Sequence, residues 1–159
     1  MDQTTFIARY GNIYEHSPWV AQAAWAQRTG DTPLADIMAV IVDAAGADRQ
    51  RALLCAHPDL AGKLARANQL TPASQAEQAG AGLNACSAEE LAEFQDLNTR
   101  YTAKFGFPFI FAVQGHHRTD ILAAFRERIR HSPEQEFAEA LKQVHRIARL
   151  RLAALEQTP

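Results

Sequence analysis

His57 is the residue in this chain best placed to carry a proton. Arg49 to Ala56 reads as a short helix, and Pro58 pushes His57 toward extended backbone. A ring held between two helices and carried on neither can point into a cleft. Imidazole is the side chain suited to proton transfer near neutral pH. The same position would also let the ring cap the carbonyls that end the preceding helix. A second group lies in Thr71-Pro72-Ala73-Ser74-Gln75-Ala76-Glu77-Gln78. With Thr71 as the cap, Ser74, Glu77 and Gln78 share one helix face, offering a hydroxyl, a carboxylate and an amide. That face sits at a helix N-terminus, where backbone N–H groups favour anions. The competing arrangement pairs Ser74 with Glu77 in an ordinary capping box and leaves Gln78 in water. Arg151 is the third candidate. Phe137, Leu141, Val144, Ala148, Leu152 and Leu155 form the apolar stripe of the last helix, with Arg146 and Arg149 on the outer side. Arg151 projects within about 50° of the stripe centre. Unless it snorkels to the edge, a guanidinium there needs a carboxylate from the protein or from a ligand.

Other chemistries find little footing. The six histidines, at 16, 57, 116, 117, 131 and 145, show neither HxxxH nor HExxH spacing. His116 and His117 are adjacent, so their side chains diverge; a metal-dependent hydrolase would have to be built on one of them. There is no glycine-rich phosphate loop and no GxSxG elbow. Cys55 and Cys86 form no CxxC pair and read as free thiols in a reducing compartment. The pattern predicts a site without metal or cofactor, or no site. A net charge of -2 and no basic block argue against nucleic acid. Nothing approaches the roughly 20 apolar residues of a membrane span. The N-terminus Met1-Asp2-Gln3-Thr4-Thr5 lacks the character of a signal peptide, so a soluble cytoplasmic protein is expected.

The elements that must position these residues are helices. Ser17-Pro18, Thr32-Pro33, Thr71-Pro72 and Ser132-Pro133 each place a capping hydroxyl before a proline at the first helical position. Ser87-Ala88-Glu89-Glu90 is a capping box, and Asp59 and Thr119 are further candidate caps. Gly30, Gly46 and Gly106 supply stops. The predicted segments are 18–29, 33–45, 49–56, 60–69, 72–81, 88–104, 120–131 and 133–156. Strand alternation is nearly absent. The expected fold is all-α, one compact multi-helix domain over 1–159, with an exception at Phe105-Gly106-Phe107-Pro108-Phe109-Ile110-Phe111-Ala112-Val113. Pro108 forbids a regular helix through that apolar run, which is either a buried connector or an irregular wall lining a pocket.

Five segments in one order resemble a known family: Glu15-His16-Ser17-Pro18-Trp19-Val20, His57-Pro58-Asp59-Leu60, Ser74 to Gly80, Leu97-Asn98-Thr99-Arg100-Tyr101 and Lys104 to Phe109. Nearly the whole chain is similar to 2-oxo-4-hydroxy-4-carboxy-5-ureidoimidazoline (OHCU) decarboxylase, which makes (S)-allantoin in urate breakdown. The resemblance implies an all-helical, commonly dimeric enzyme without metal or organic cofactor, acting on a small ureido-imidazoline. It implies His57 as the catalytic histidine and Glu77 as a substrate contact. We read His57 as the general acid that protonates the carbon losing CO₂ or assists at the 4-hydroxyl, with Glu77 fixing the His57 tautomer or accepting from ureido N–H groups. Substrate contacts are implied at Pro58, Ser74, Gln75, Ala76, Gln78, Phe109, Ile110, Phe111, Ala112, Val113 and Arg151. His57 and Glu77 should then converge on one hollow walled by the aromatic run. The alternative class is a non-catalytic helical interaction module in which that run is simply core.

Overall fold

The Thr71-Pro72 and Ser132-Pro133 starts, the Ser87 capping box and the Gly106 stop are resolved as helix ends in the computed structural model, which describes residues 1–62 and 69–158. Gly30 is no stop, because the helix from Pro18 ends at Gln27 with Arg28 as its cap. Among the described residues every regular element is helical. The chain divides into two compact units, Met1–His57 with Leu141–Pro159, and Pro58–Ala140.

The first unit contains α1 (Gln3–Tyr10), α2 (Pro18–Gln27), α3 (Leu34–Asp43), α4 (Ala47–Cys55) and the C-terminal part of α8 (Pro133–Glu156). Helix α1 has no proline to announce it. Its start is set by Asp2, whose carboxylate accepts from the Thr5 N–H at 2.8 Å. Helix α2 packs on both α1 and α3. Phe6, Val20, Ala24, Met38, Val42 and Leu54 fill the unit's core, each large side chain contributing roughly 1.5–3 kcal/mol. Two expected caps work differently. Pro33, at ψ 137°, stands outside α3, so Thr32 is not its cap. Ser17 precedes α2 without capping it, because its hydroxyl donates to the Glu15 carbonyl at 3.1 Å. Gly46, at φ +88°, precedes α4 as its N-terminal cap residue, whereas α3 already ends at Asp43 with Ala44 as its cap.

The second unit contains α5 (Pro72–Gly80), a single 3-10 turn at Leu83–Ala85, α6 (Ala88–Phe105), α7 (Arg118–Arg128) and the first turns of α8. Ser87 and Glu90 form the expected reciprocal box at 2.9 and 3.1 Å. Gly106, at φ +80°, ends α6 in the left-handed conformation that glycine adopts without strain. Helix α7 begins earlier than expected because His117, not Thr119, caps it. Most of the segment expected over 60–69 lies outside the described residues; Leu60 and Ala61 are in a turn. From Gly106 to His117 the chain is irregular, with Phe107, Phe109, Ile110, Ala112 and Val113 all buried.

No helix among the described residues is long and apolar enough to cross a membrane. Cys86 is a half-buried free thiol and Cys55 is exposed.

Candidate functional site

His57 follows α4 directly, its N–H donating to the Leu54 carbonyl at 3.1 Å. The residue is 8 % exposed, and its Nε2 has no hydrogen-bond partner among the described residues. That nitrogen is therefore not used to close the helix end. A buried polar atom left unsatisfied is costly and marks a site with another task. Burial disfavours the imidazolium, the Arg151 charge adds to this, Glu15 opposes it, and His16 lowers it slightly further. The result is an ionisation pushed down to about 4, so the ring is neutral at physiological pH.

Arg151 is buried, as the helical periodicity predicts, and the carboxylate it needs is the protein's own. Its Nη1 lies 2.7 Å from Oε2 of Glu15, with the two side chains 7 % and 1 % exposed. The same nitrogen donates to the carbonyls of Asn12 and Ile13 at 3.3 and 3.4 Å. Sequence reasoning gave Glu15 no role, because an irregular segment has no periodicity to reveal an inward side chain. The segment from Gly11 to Ser17 is held in several places. Asn12 accepts from the His16 N–H at 2.9 Å, and His16 takes φ +49°. Tyr14 Oη meets His145 Nδ1 at 2.8 Å, and His145 Nε2 meets Asp43 Oδ1 at 2.8 Å. A loop carrying a buried acid is thereby fixed from α3 and α8.

In the second unit, α5 turns Ser74, Glu77 and Gln78 to one side. Ser74 and Gln78 are buried and Glu77 is half-buried, whereas Gln75 and Ala76 face outward and are exposed. Thr71 caps the helix, accepting from the Ser74 N–H at 3.3 Å, so the Ser74–Glu77 capping box with a solvated Gln78 does not form. Gln78 instead accepts from the Ala61 N–H at 3.0 Å and donates to the Asp59 carbonyl at 3.1 Å. Asn98 adds a bond to the Leu60 carbonyl at 3.0 Å. These two amides pin the turn after His57-Pro58, where Ala61 holds φ +50°, a strained value for a residue with a Cβ. Gln78→Ala strands both backbone groups and is expected to cost about 2–3 kcal/mol in denaturant unfolding.

The aromatic run is a packed wall. Phe109 stacks on Phe125 with ring centroids 3.9 Å apart and planes 8° apart. Arg128 Nη1 donates to the Ile110 carbonyl at 2.7 Å and its guanidinium lies over the Phe109 ring. Phe111 is less buried than its neighbours and meets His116 edge-on. His117 is used at a joint: Nδ1 caps α7 and Nε2 lies 3.1 Å from Arg118 Nη1. Among the described residues, no three His, Cys, Asp or Glu side chains converge as a metal site would require.

Thus His57 and Arg151 fall in the first unit with Glu15, while Ser74, Glu77, Gln78 and Phe109–Val113 fall in the second.

A family model described as OHCU decarboxylase matches residues 1–153. The 2-oxo-4-hydroxy-4-carboxy-5-ureidoimidazoline decarboxylase of Haloferax volcanii is 43% identical over 96% of this chain and 90% of its own length. A human protein named as a putative decarboxylase of the same substrate is 37% identical over 98% of this chain and 91% of its own. The uric acid degradation bifunctional protein of Bacillus subtilis is 40% identical over 96% of this chain, which spans 31% of that longer protein. A crystal structure of (S)-allantoin synthase superposes with a TM-score of 0.75 at 36% identity, covering 97% of this chain and 50% of that one. An OHCU decarboxylase crystallised in the presence of (S)-allantoin gives 0.71 at 25% identity, covering 91% and 95%.

Proposed function

The chain belongs to the OHCU decarboxylase family, and from that membership we propose how its residues convert 2-oxo-4-hydroxy-4-carboxy-5-ureidoimidazoline into (S)-allantoin and carbon dioxide. It is a carboxy-lyase of urate degradation, not a passive helical module. The observation that carries the residue-level reading is the buried His57, whose Nε2 is without a partner among the described residues and whose neighbours include a paired arginine.

The substrate's chemistry defines the task. One ring carbon bears both carboxylate and hydroxyl and adjoins a ring C=N. As the bond to the carboxylate breaks, its electron pair forms a ring C=C and the imine nitrogen takes a proton. The enol then becomes a ketone: the O–H bond breaks and a proton is added to the ureido-bearing carbon. That carbon is the product's stereocentre, so the face of protonation sets the S configuration. The substrate's own imine accepts the electrons, and the reading includes no cofactor.

His57 is the proton carrier. A ring that is neutral before binding takes the hydroxyl proton and delivers it to the adjoining carbon, acting as general acid in the step that fixes chirality. Glu77 accepts from ureido N–H groups. Ser74, with Pro58 and the exposed Gln75 and Ala76, contributes the remaining polar and backbone contacts. Gln78 acts chiefly through its hold on the Asp59–Ala61 turn. Phe109, Ile110, Phe111, Ala112 and Val113 exclude water, leaving the carboxylate poorly solvated and readier to depart. Arg151 directs its charge to ring or ureido oxygens. A grip on the departing carboxylate would stabilise the ground state and slow its loss.

The test feeds freshly generated OHCU to the protein, follows its ultraviolet decay and resolves the allantoin enantiomers. Fast decay to the S product is expected; racemic product formed no faster than in buffer overturns the reading. We further read the enzyme as one functional domain forming a cytoplasmic homodimer, as the resemblance implies. Sedimentation should then give about twice the chain mass of 17.6 kDa.

A further inference from the structure

Among the described residues Glu15 is the most enclosed charge in the first unit, at 1 % exposure, and several contacts keep it there. It follows a tyrosine clasped to His145 and precedes a residue in left-handed backbone, and its own carbonyl receives the Ser17 hydroxyl. Its carboxylate meets Arg151, which is tied in turn to the Asn12 and Ile13 carbonyls. A buried ion pair is a poor device for stability alone, since apolar side chains of similar volume often serve as well or better. The buried His57 ring, in the same unit, feels both charges.

We propose that Glu15 is a positioning residue for His57: paired with Arg151, its carboxylate fixes the guanidinium and balances the positive charge presented to the imidazole. The proposal rests on the reading of His57 as proton carrier and adds a residue to it. Without Glu15, Arg151 would repel any proton arriving on the ring and would be free to turn toward the substrate carboxylate. With Glu15 in place, the ring starts neutral yet can accept and release a proton within one catalytic cycle. Among the described residues, the charges that act on the ring are Arg151, Glu15 and His16. The first two oppose one another, and the structure pairs them directly.

The experiment is a histidine ¹⁵N NMR titration of the intact protein and its variants, run beside steady-state kinetics. Glu15→Gln should lower the His57 ionisation by roughly one pH unit and Arg151→Gln should raise it by a similar amount. Glu15→Asp keeps the charge but loosens the pair; it should move the ionisation in the same direction as Glu15→Gln, by less. In Glu15→Gln kcat should fall roughly tenfold with KM within about twofold, and Glu15→Asp should recover part of the loss. Because Glu15→Asp retains a charge opposite Arg151, it keeps the question decidable if Glu15→Gln does not fold. A His57 ionisation that is unmoved, or that shifts the same way in the glutamine variants of both partners, overturns the proposal. So does unchanged kcat in a folded Glu15→Gln. The titration needs no substrate, so the coupling can fail while the decarboxylase reading stands, and the reverse.

Discussion

His57→Gln is expected to lower kcat by about 10²–10⁴-fold, the usual worth of a positioned proton carrier. Glutamine is close to histidine in reach and polarity, so KM should change little, because the ring's contribution arises in the transition state. The product formed by the residual reaction should lose enantiomeric purity, since the proton would then come from water on either face. Acid should affect the wild-type enzyme in a recognisable way. The free-enzyme limb of kcat/KM is set by a ring whose ionisation lies near 4 rather than 6.5. In the complex, the substrate carboxylate beside the ring favours the imidazolium, so the acidic limb of kcat should lie higher than that of kcat/KM. A full-strength His57→Gln enzyme giving pure S product would remove His57 from the mechanism.

The same burial has a consequence for stability. The unfolded chain binds a proton at His57 as pH falls through 6.5, whereas the folded chain resists until about 4. Stability from keeping this ring neutral is thus complete above pH 6.5, drains as pH falls through the interval, and has gone near pH 4. The loss is on the order of 3 kcal/mol across that window. Denaturant unfolding of wild type and His57→Gln between pH 7 and 4 should show the difference between them change by that amount, the variant lacking the acid-driven slope.

How far these features can be read from sequence depends on whether they are local. The cap at Thr71, the Ser87–Glu90 box and the left-handed Gly106 each involve residues within a few positions, and each lies where its motif predicts. Arg151 was readable because a long helix converts spacing into direction. The shared face of Ser74, Glu77 and Gln78 was readable for the same reason. Helix α1 is hard to read from sequence because its only local sign is Asp2, a single cap without the proline that marks α2, α3, α5 and α8 or the reciprocal box of α6. Glu15 escaped because its partner is Arg151, far along the chain, and neither motif nor periodicity spans that distance. The task of Gln78 was hidden likewise, since its partners are backbone atoms of a turn with no side-chain signature. Within a helix, spacing identifies which side chains turn inward; what they meet, and what an irregular segment such as the one carrying Glu15 buries, is visible only in the structure.

Glu136→Gln is expected to be strongly destabilising although it lies outside the site, and the reason lies at the base of the aromatic wall. Glu136 is fully buried in the first turn of α8. Its carboxylate accepts from Tyr101 Oη at 2.5 Å and from Arg128 Nε at 3.0 and 3.3 Å, and it meets His131 Nδ1 at 3.1 Å. Arg128 in turn holds the Ile110 carbonyl and lies over Phe109. One carboxylate therefore joins α6, α7, α8 and the irregular segment. Removing its charge leaves Arg128 buried at 8 % side-chain exposure with no counter-charge, at a cost of about 3–5 kcal/mol. For a chain of this size, that loss should lower Tm by roughly 10 °C. Tyr101→Phe removes one charge-assisted hydrogen bond and should cost about 1.5–3 kcal/mol. Arg128→Met combined with Glu136→Leu removes both charges and should recover much of what Glu136→Gln loses, because neither is then stranded. Thermal and denaturant unfolding of the three variants distinguish a buried electrostatic node from simple packing. A Glu136→Gln protein within about 1 kcal/mol of wild type would mean that Arg128 finds its counter-charge elsewhere.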